Sequence, residues 1–162
     1  NHSIWVIVLS EYKRTTDTFS GIINNRPSQF HANQGTNTLL LQTWKQAQEI
    51  TNDPHILTVS VEKNKPYFNT LGKHNIPGKL IYQPEQHGSA AAIFLALTFI
   101  LAKDPQAQVV ILPLDDYYKN PEKKITPYIN RISEELVHNP YKAILLAEDP
   151  TSLIDKNEHQ HQ

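Results

Sequence analysis

The sequence predicts an α/β domain built on a mainly parallel, doubly wound sheet. Three observations carry that prediction. Short runs of β-branched and apolar residues alternate with helical patterns along the chain. Most of the runs do not alternate apolar with polar residues, so they read as strands buried on both faces, the habit of a parallel sheet. Proline pairs, namely Asp53-Pro54, Pro77-Gly78, Asp104-Pro105 and Asn139-Pro140, punctuate the boundaries between them.

In chain order, the predicted strands are Ile4–Leu9, Ile56–Val61, Lys79–Tyr82 and Gln108–Leu112, with a fifth at Ala143–Leu146. Asn37 is placed to cap a helix running to about Ile50, with Leu40, Thr43, Trp44, Ala47 and Ile50 on or near one face. Lys65–Leu71 reads as a short helix. Gly88-Ser89 leads into the apolar run Ala90–Ala102, which only Thr98 interrupts. That run is shorter than the ~20 residues a bilayer span needs, so it is expected to be a buried helix. Thr126-Pro127 opens a last helix to about Val137, with Pro127 at a favourable first position. The whole reads as one domain over residues 1–155 and a polar tail over 156–162, with right-handed crossovers as the default.

Composition narrows the function. A chain of 162 residues, 39% apolar, suits a single core. With 15 basic and 16 acidic residues the formal net charge is -1, so neither a nucleic-acid partner nor a membrane partner is expected. The chain has no cysteine, which excludes disulfides, thiolate catalysis and sulfur-ligated zinc and fits a cytoplasmic location. It also lacks methionine and begins at Asn1, so trimming of the natural start is expected. His159 and His161 could chelate a metal weakly, but they fall in the polar tail. Ligands of doubly wound sheets sit beyond the carboxyl ends of the strands, which directs attention to residues 10–36, 83–89 and 113–124.

Three stretches, in order along the chain, resemble the mannose-1-phosphate guanylyltransferase type of sugar-nucleotide pyrophosphorylase. The first is Arg26-Pro-Ser-Gln-Phe30 followed by Thr38-Leu-Leu-Leu-Gln-Thr43. It is similar to the family's Arg/Tyr-Pro-Lys-Gln-Phe and the Ser-Leu-Leu-Gln-x-Thr helix after it. The second is Gln83-Pro-Glu-Gln-His-Gly-Ser-Ala-Ala-Ala-Ile93, where the family has Glu/Gln-Pro, two variable residues and Arg-Gly/Asn-Thr-Ala-Pro-Ala-Ile. The third is Asp104-Pro-Gln-Ala-Gln-Val-Val-Ile-Leu-Pro-Leu-Asp115, where the family has Asp-Pro-x-Ala-x-Val and a strand ending Pro-Ser-Asp-His. Order and spacing agree from about Trp5 to Thr151. The resemblance implies a Rossmann-like nucleotide-diphospho-sugar transferase fold. It also implies an activity in which a sugar 1-phosphate attacks the α-phosphorus of a nucleoside triphosphate and releases pyrophosphate. Catalysis of that kind is positioning plus neutralisation of phosphate charge.

On the resemblance, Ser10, Lys13 and Arg14 fall in the triphosphate loop after the first strand, and Gln83, Gly88 and Ser89 fall against the base and ribose. Asp115 is the magnesium ligand, and Mg2+ is the cofactor if activity remains. Arg14 and Arg26 are the candidate catalytic cations. Each residue also has a plain alternative: a solvated loop for Lys13 and Arg14, a surface or packing role for Arg26, a turn for Gly88, a helix cap for Ser89 and loop capping for Asp115.

Several positions depart from the family. The glycine-rich phosphate loop is replaced by Ser10-Glu-Tyr-Lys-Arg-Thr-Thr-Asp17, with no glycine before Gly21 and with Glu11 where phosphate oxygens would lie. Ser28 stands where the family has a phosphate-binding lysine, which removes a full charge. His87 replaces an arginine, Ala91 a proline and Asp116 a histidine. The family's sugar-binding half has no counterpart after Thr151. The expectation is a diverged nucleotidyltransferase, weak or inactive as this chain, that takes GTP, another nucleoside triphosphate or a sugar nucleotide such as GDP-mannose. Two alternatives stay open. One is a pseudoenzyme that senses a nucleotide or sugar nucleotide. The other is an interaction module, with a protein partner or a second copy, in which Tyr12, Phe19, Tyr117 and Tyr118 fill the old site. A fragment of a longer, competent enzyme is a further reading.

Overall fold

Ile4–Leu9 (β1) is apolar throughout and all but buried, which suits it to the centre of a sheet. It lies between Ile56–Val61 (β2) and Gln108–Pro113 (β4), and Lys79–Gln83 (β3) pairs with the far side of β2. The order is β3-β2-β1-β4 and every pair is parallel. The register sets Val6 beside Ile56 and Val110, and Thr58 beside Leu80. The computed structural model describes residues 3–10, 39–72, 75–85, 87–114 and 125–146. By internal contact the chain divides into two compact units, Asn1–Ile129 and Asn130–Gln162.

In the first unit, helices cover both faces of the sheet. Leu39–Ile50 (α1) buries Leu40, Trp44 and Ala47 against one face, at the spacing of a single helical stripe. Residues 37 and 38, including the expected cap Asn37, lie outside the described residues. The end of α1 is fixed to the sheet by the Thr51 hydroxyl, which donates to the carbonyl of Ile4 at 2.8 Å. Lys65–Leu71 (α2) opens with Pro66 in its first turn and inserts Phe68 into the same core, beside Trp44, Val8 and Ile56. Gly88–Lys103 (α3) lies on the opposite face, where Ala92, Ala96 and Ile100 pack against Trp5, Ile7, Leu9, Leu57 and Val59. The connections through α1 and α2 step away from β1. The connection through α3 steps back past it on the other face, which keeps one crossover hand throughout.

The strands fall where the sequence places them, with β3 and β4 each running one residue further. Two expectations need correction. The apolar run in α3 is not a buried helix: Phe94 is 70% exposed and Leu101 62%. One side of the helix meets the sheet, and no other described element of the first unit covers its outer side. In addition, Ala143–Leu146 forms no strand. Its residues are exposed, Leu145 at 90%. An apolar run becomes a strand only when a sheet edge supplies partners for its backbone, and no ladder among the described residues includes it.

The last helix, Thr126–His138 (α4), begins in the first unit, where Ile129 is buried and Ile125, just before it, packs on the α1 core. In the second unit the helix stops at Asn139, whose N–H bonds the Glu135 carbonyl and whose side-chain amide donates to the Glu135 carboxylate at 3.0 Å.

The Asp104-Pro-x-Ala segment has a structural role at the amino-terminal end of the sheet. The Asp104 carboxylate accepts hydrogen bonds from the Ser3 hydroxyl, the Trp5 indole N–H (3.2 Å) and the Gln106 N–H (3.3 Å). It thereby joins the end of α3 to the starts of β1 and β4. The Ser3 bond, then the Trp5 and Gln106 bonds and the nearby His55, hold the Asp104 carboxyl below its ordinary range, against a smaller opposing effect of burial. A depressed carboxylate stabilises the fold fully above its unfolded pKa, about 4, and loses that contribution as pH falls through its folded value. Asp104→Ala is therefore expected to melt below the wild type at pH 7. The gap in Tm should close as the pH is taken below about 4. A gap of constant size down to pH 2.5 would show that the ionised carboxylate is not what holds the junction.

Candidate functional site

The strand order reverses between β1 and β4, and in an open α/β sheet the crevice beyond the carboxyl ends at such a point is where ligands bind. Ser10 occupies that position. Its N–H extends the ladder by donating to the Val59 carbonyl at 2.9 Å, which keeps it in the sheet one residue beyond β1. It is 0% exposed, and its hydroxyl has no hydrogen-bond partner among the described residues. A buried hydroxyl in that state costs about 1–3 kcal/mol. Such a cost at the mouth of a sheet points to a group that completes the bond.

The neighbouring groups are polar and uncharged. Alternation along β1 sets Ser10 on the Val6 and Val8 face, the α1 and α2 side. One strand across, Ser60 is fully buried and accepts a hydrogen bond from the side-chain amide of Asn64 at 3.2 Å. Asn64 is itself buried, in the short 3-10 turn Glu62–Asn64 that follows β2. Tyr82, in register with Ser60, is half-buried. Burial and then the charge of Glu62 push its hydroxyl above the usual tyrosine range, so it stays a neutral donor near pH 7. On the other face, with α3, Gln83 ends β3 and is buried.

The start of α3 is the second part of the site. Gly88 has a φ of +85°, and a Cβ added there would meet no atom of the described residues within 4 Å. Ser89 and His87 are exposed. No side chain caps the helix and its first turn carries no acidic residue. Among the described residues, no side chain therefore competes with an anion for its first N–H groups and the dipole they end.

Of the residues expected from the sequence, the structure therefore places Ser10, Gln83, Gly88 and Ser89 at the carboxyl end of the sheet. Lys13, Arg14, Arg26 and Asp115 lie outside the described residues, as do Glu11, Ser28 and Asp116. Among the described residues no cluster of three His, Asp or Glu side chains could hold a metal. No helix among them is long and apolar enough to cross a membrane. Sequence reading missed Ser60, Asn64 and Tyr82. The signal for Ser60 was present, since Thr58 and Ser60 put two hydroxyls at strand period inside an otherwise apolar run. Asn64 gave none, because it sits among Glu62, Lys63 and Lys65 and reads as a solvated turn.

A parallel sheet with helices on both faces and a polar carboxyl end is a Rossmann-like α/β fold, and a solved structure shares it. The chain is similar to a crystal structure from Bacillus anthracis described as a glucose-1-phosphate thymidylyltransferase in complex with sucrose. The TM-score is 0.61 at 14% sequence identity, over 82% of this chain and 51% of that one. The chain thus spans about half the length of that protein. No protein-family model and no curated protein sequence matches it.

Proposed function

We propose that this chain is a diverged nucleotide-binding half of a sugar-phosphate nucleotidyltransferase, of the mannose-1-phosphate guanylyltransferase type. In this reading it holds a nucleoside triphosphate or sugar nucleotide at the carboxyl end of the sheet, with weak turnover or none. The observation that carries the reading is the buried hydroxyl of Ser10, without a hydrogen-bond partner among the described residues, at the point where the strand order reverses. The similarity of fold to a thymidylyltransferase-like structure supports it. Neutral groups at Ser10, Ser60, Asn64 and Gln83 suit the uncharged parts of a nucleotide, and the uncapped start of α3 suits an anion. Asp115 would hold magnesium against the phosphates, and Lys13, Arg14 and Arg26 would neutralise them. The weak turnover follows from the missing loop glycines and from Ser28 in place of a lysine.

Calorimetric titration with GTP, ATP and GDP-mannose, with and without magnesium, tests this. Saturable, magnesium-dependent binding is expected, lost in Asp115→Ala and weakened about tenfold in Ser10→Ala, the worth of one hydrogen bond. Ser10→Ala should melt no lower than the wild type, because it removes an unpartnered group. An absence of binding at millimolar nucleotide would overturn the proposal. Formation of GDP-mannose from GTP and mannose 1-phosphate at an ordinary enzymatic rate would overturn the weak-turnover part.

A further inference from the structure

We draw no further inference here: the strongest candidate, the row of hydroxyls that Ser10, Ser60 and Tyr82 set across the carboxyl ends of β1, β2 and β3, belongs to the site already described, and nothing in the structure shows which group meets it.

Discussion

Gly78→Ala is expected to cost more than about 4 kcal/mol, enough to unfold much of a domain whose whole stability is on the order of 5–15 kcal/mol. Gly78 adopts a φ of +68°, a region other residues enter at a cost of about 1–3 kcal/mol. Steric exclusion adds to that strain. A Cβ at Gly78 would collide with the carbonyl oxygens of Ile56 and Asp53. Neither oxygen can move freely. Ile56 starts β2, and the Asp53 carbonyl accepts the Ile56 N–H that closes the 3-10 turn Asp53–His55. The methyl group must therefore break either that turn or the pairing of Leu57 with Lys79 at the start of β3. Gly88→Ala separates the two effects. Gly88 has a similar φ of +85° with open space where its Cβ would be, so it bears the strain alone. In urea unfolding, Gly78→Ala should fall well below Gly88→Ala. Equal losses in the two variants would show that the close approach of β2 and β3 is not what Gly78 serves.

That contrast shows where the sequence was legible. Pro77-Gly78 marks a boundary in any reading, because both residues break regular structure. That glycine is needed because another backbone passes close by depends on a pairing between residues 57 and 79, which no local pattern contains. The strands were legible because their apolar runs are short, rich in β-branched residues and bounded by breakers. α1 was legible because Leu40, Trp44 and Ala47 recur at helical spacing. α3 and Ala143–Leu146 mark the limit. In both, hydrophobicity fixes what a segment tends to become, but burial and pairing depend on what else lies beside it. Asp104 shows the same limit in another form. It reads as a boundary and as the start of a recognisable segment, and nothing local shows that its carboxylate takes three hydrogen bonds at the amino-terminal end of the sheet.

The candidate site divides along a similar line. Gln83, Gly88 and Ser89 were legible because they form a continuous motif that enters a helix, and continuity in sequence becomes proximity in space. Ser10 was legible through its position at the end of the first strand. Ser60 and Tyr82 join it only through strand register, and Asn64 through its hydrogen bond to Ser60, and each is ordinary in its own neighbourhood. The charged candidates Lys13, Arg14, Arg26 and Asp115 rest on the resemblance alone, since they lie outside the described residues.

Trp44→Ala is expected to destabilise the domain by about 3–5 kcal/mol, the usual cost of truncating a buried tryptophan. Trp44 is buried where α1 meets β2 and α2, with the Phe68 ring 6.3 Å away and Tyr82 edge-on to Phe68 at 6.0 Å. Its indole N–H donates to the Thr58 hydroxyl at 2.9 Å, and Thr58 is 0% exposed. The loss therefore has two sources, apolar contact and one buried hydrogen bond, and they can be separated. Trp44→Phe retains much of the contact but leaves the Thr58 hydroxyl without its donor, at about 1–3 kcal/mol. Thr58→Val retains the shape but orphans the indole N–H, at a similar cost. With both changes no polar group is left over, so the double variant should lose clearly less than the sum of the two single losses. Urea unfolding followed by far-ultraviolet circular dichroism measures all four proteins on one scale. Strictly additive losses would mean that packing alone holds α1 to β2. A coupling of about 1 kcal/mol or more would show that the bond between Trp44 and Thr58 fixes which turn of the helix meets the strand, and with it the height of α1 against the end of the sheet that carries Ser10.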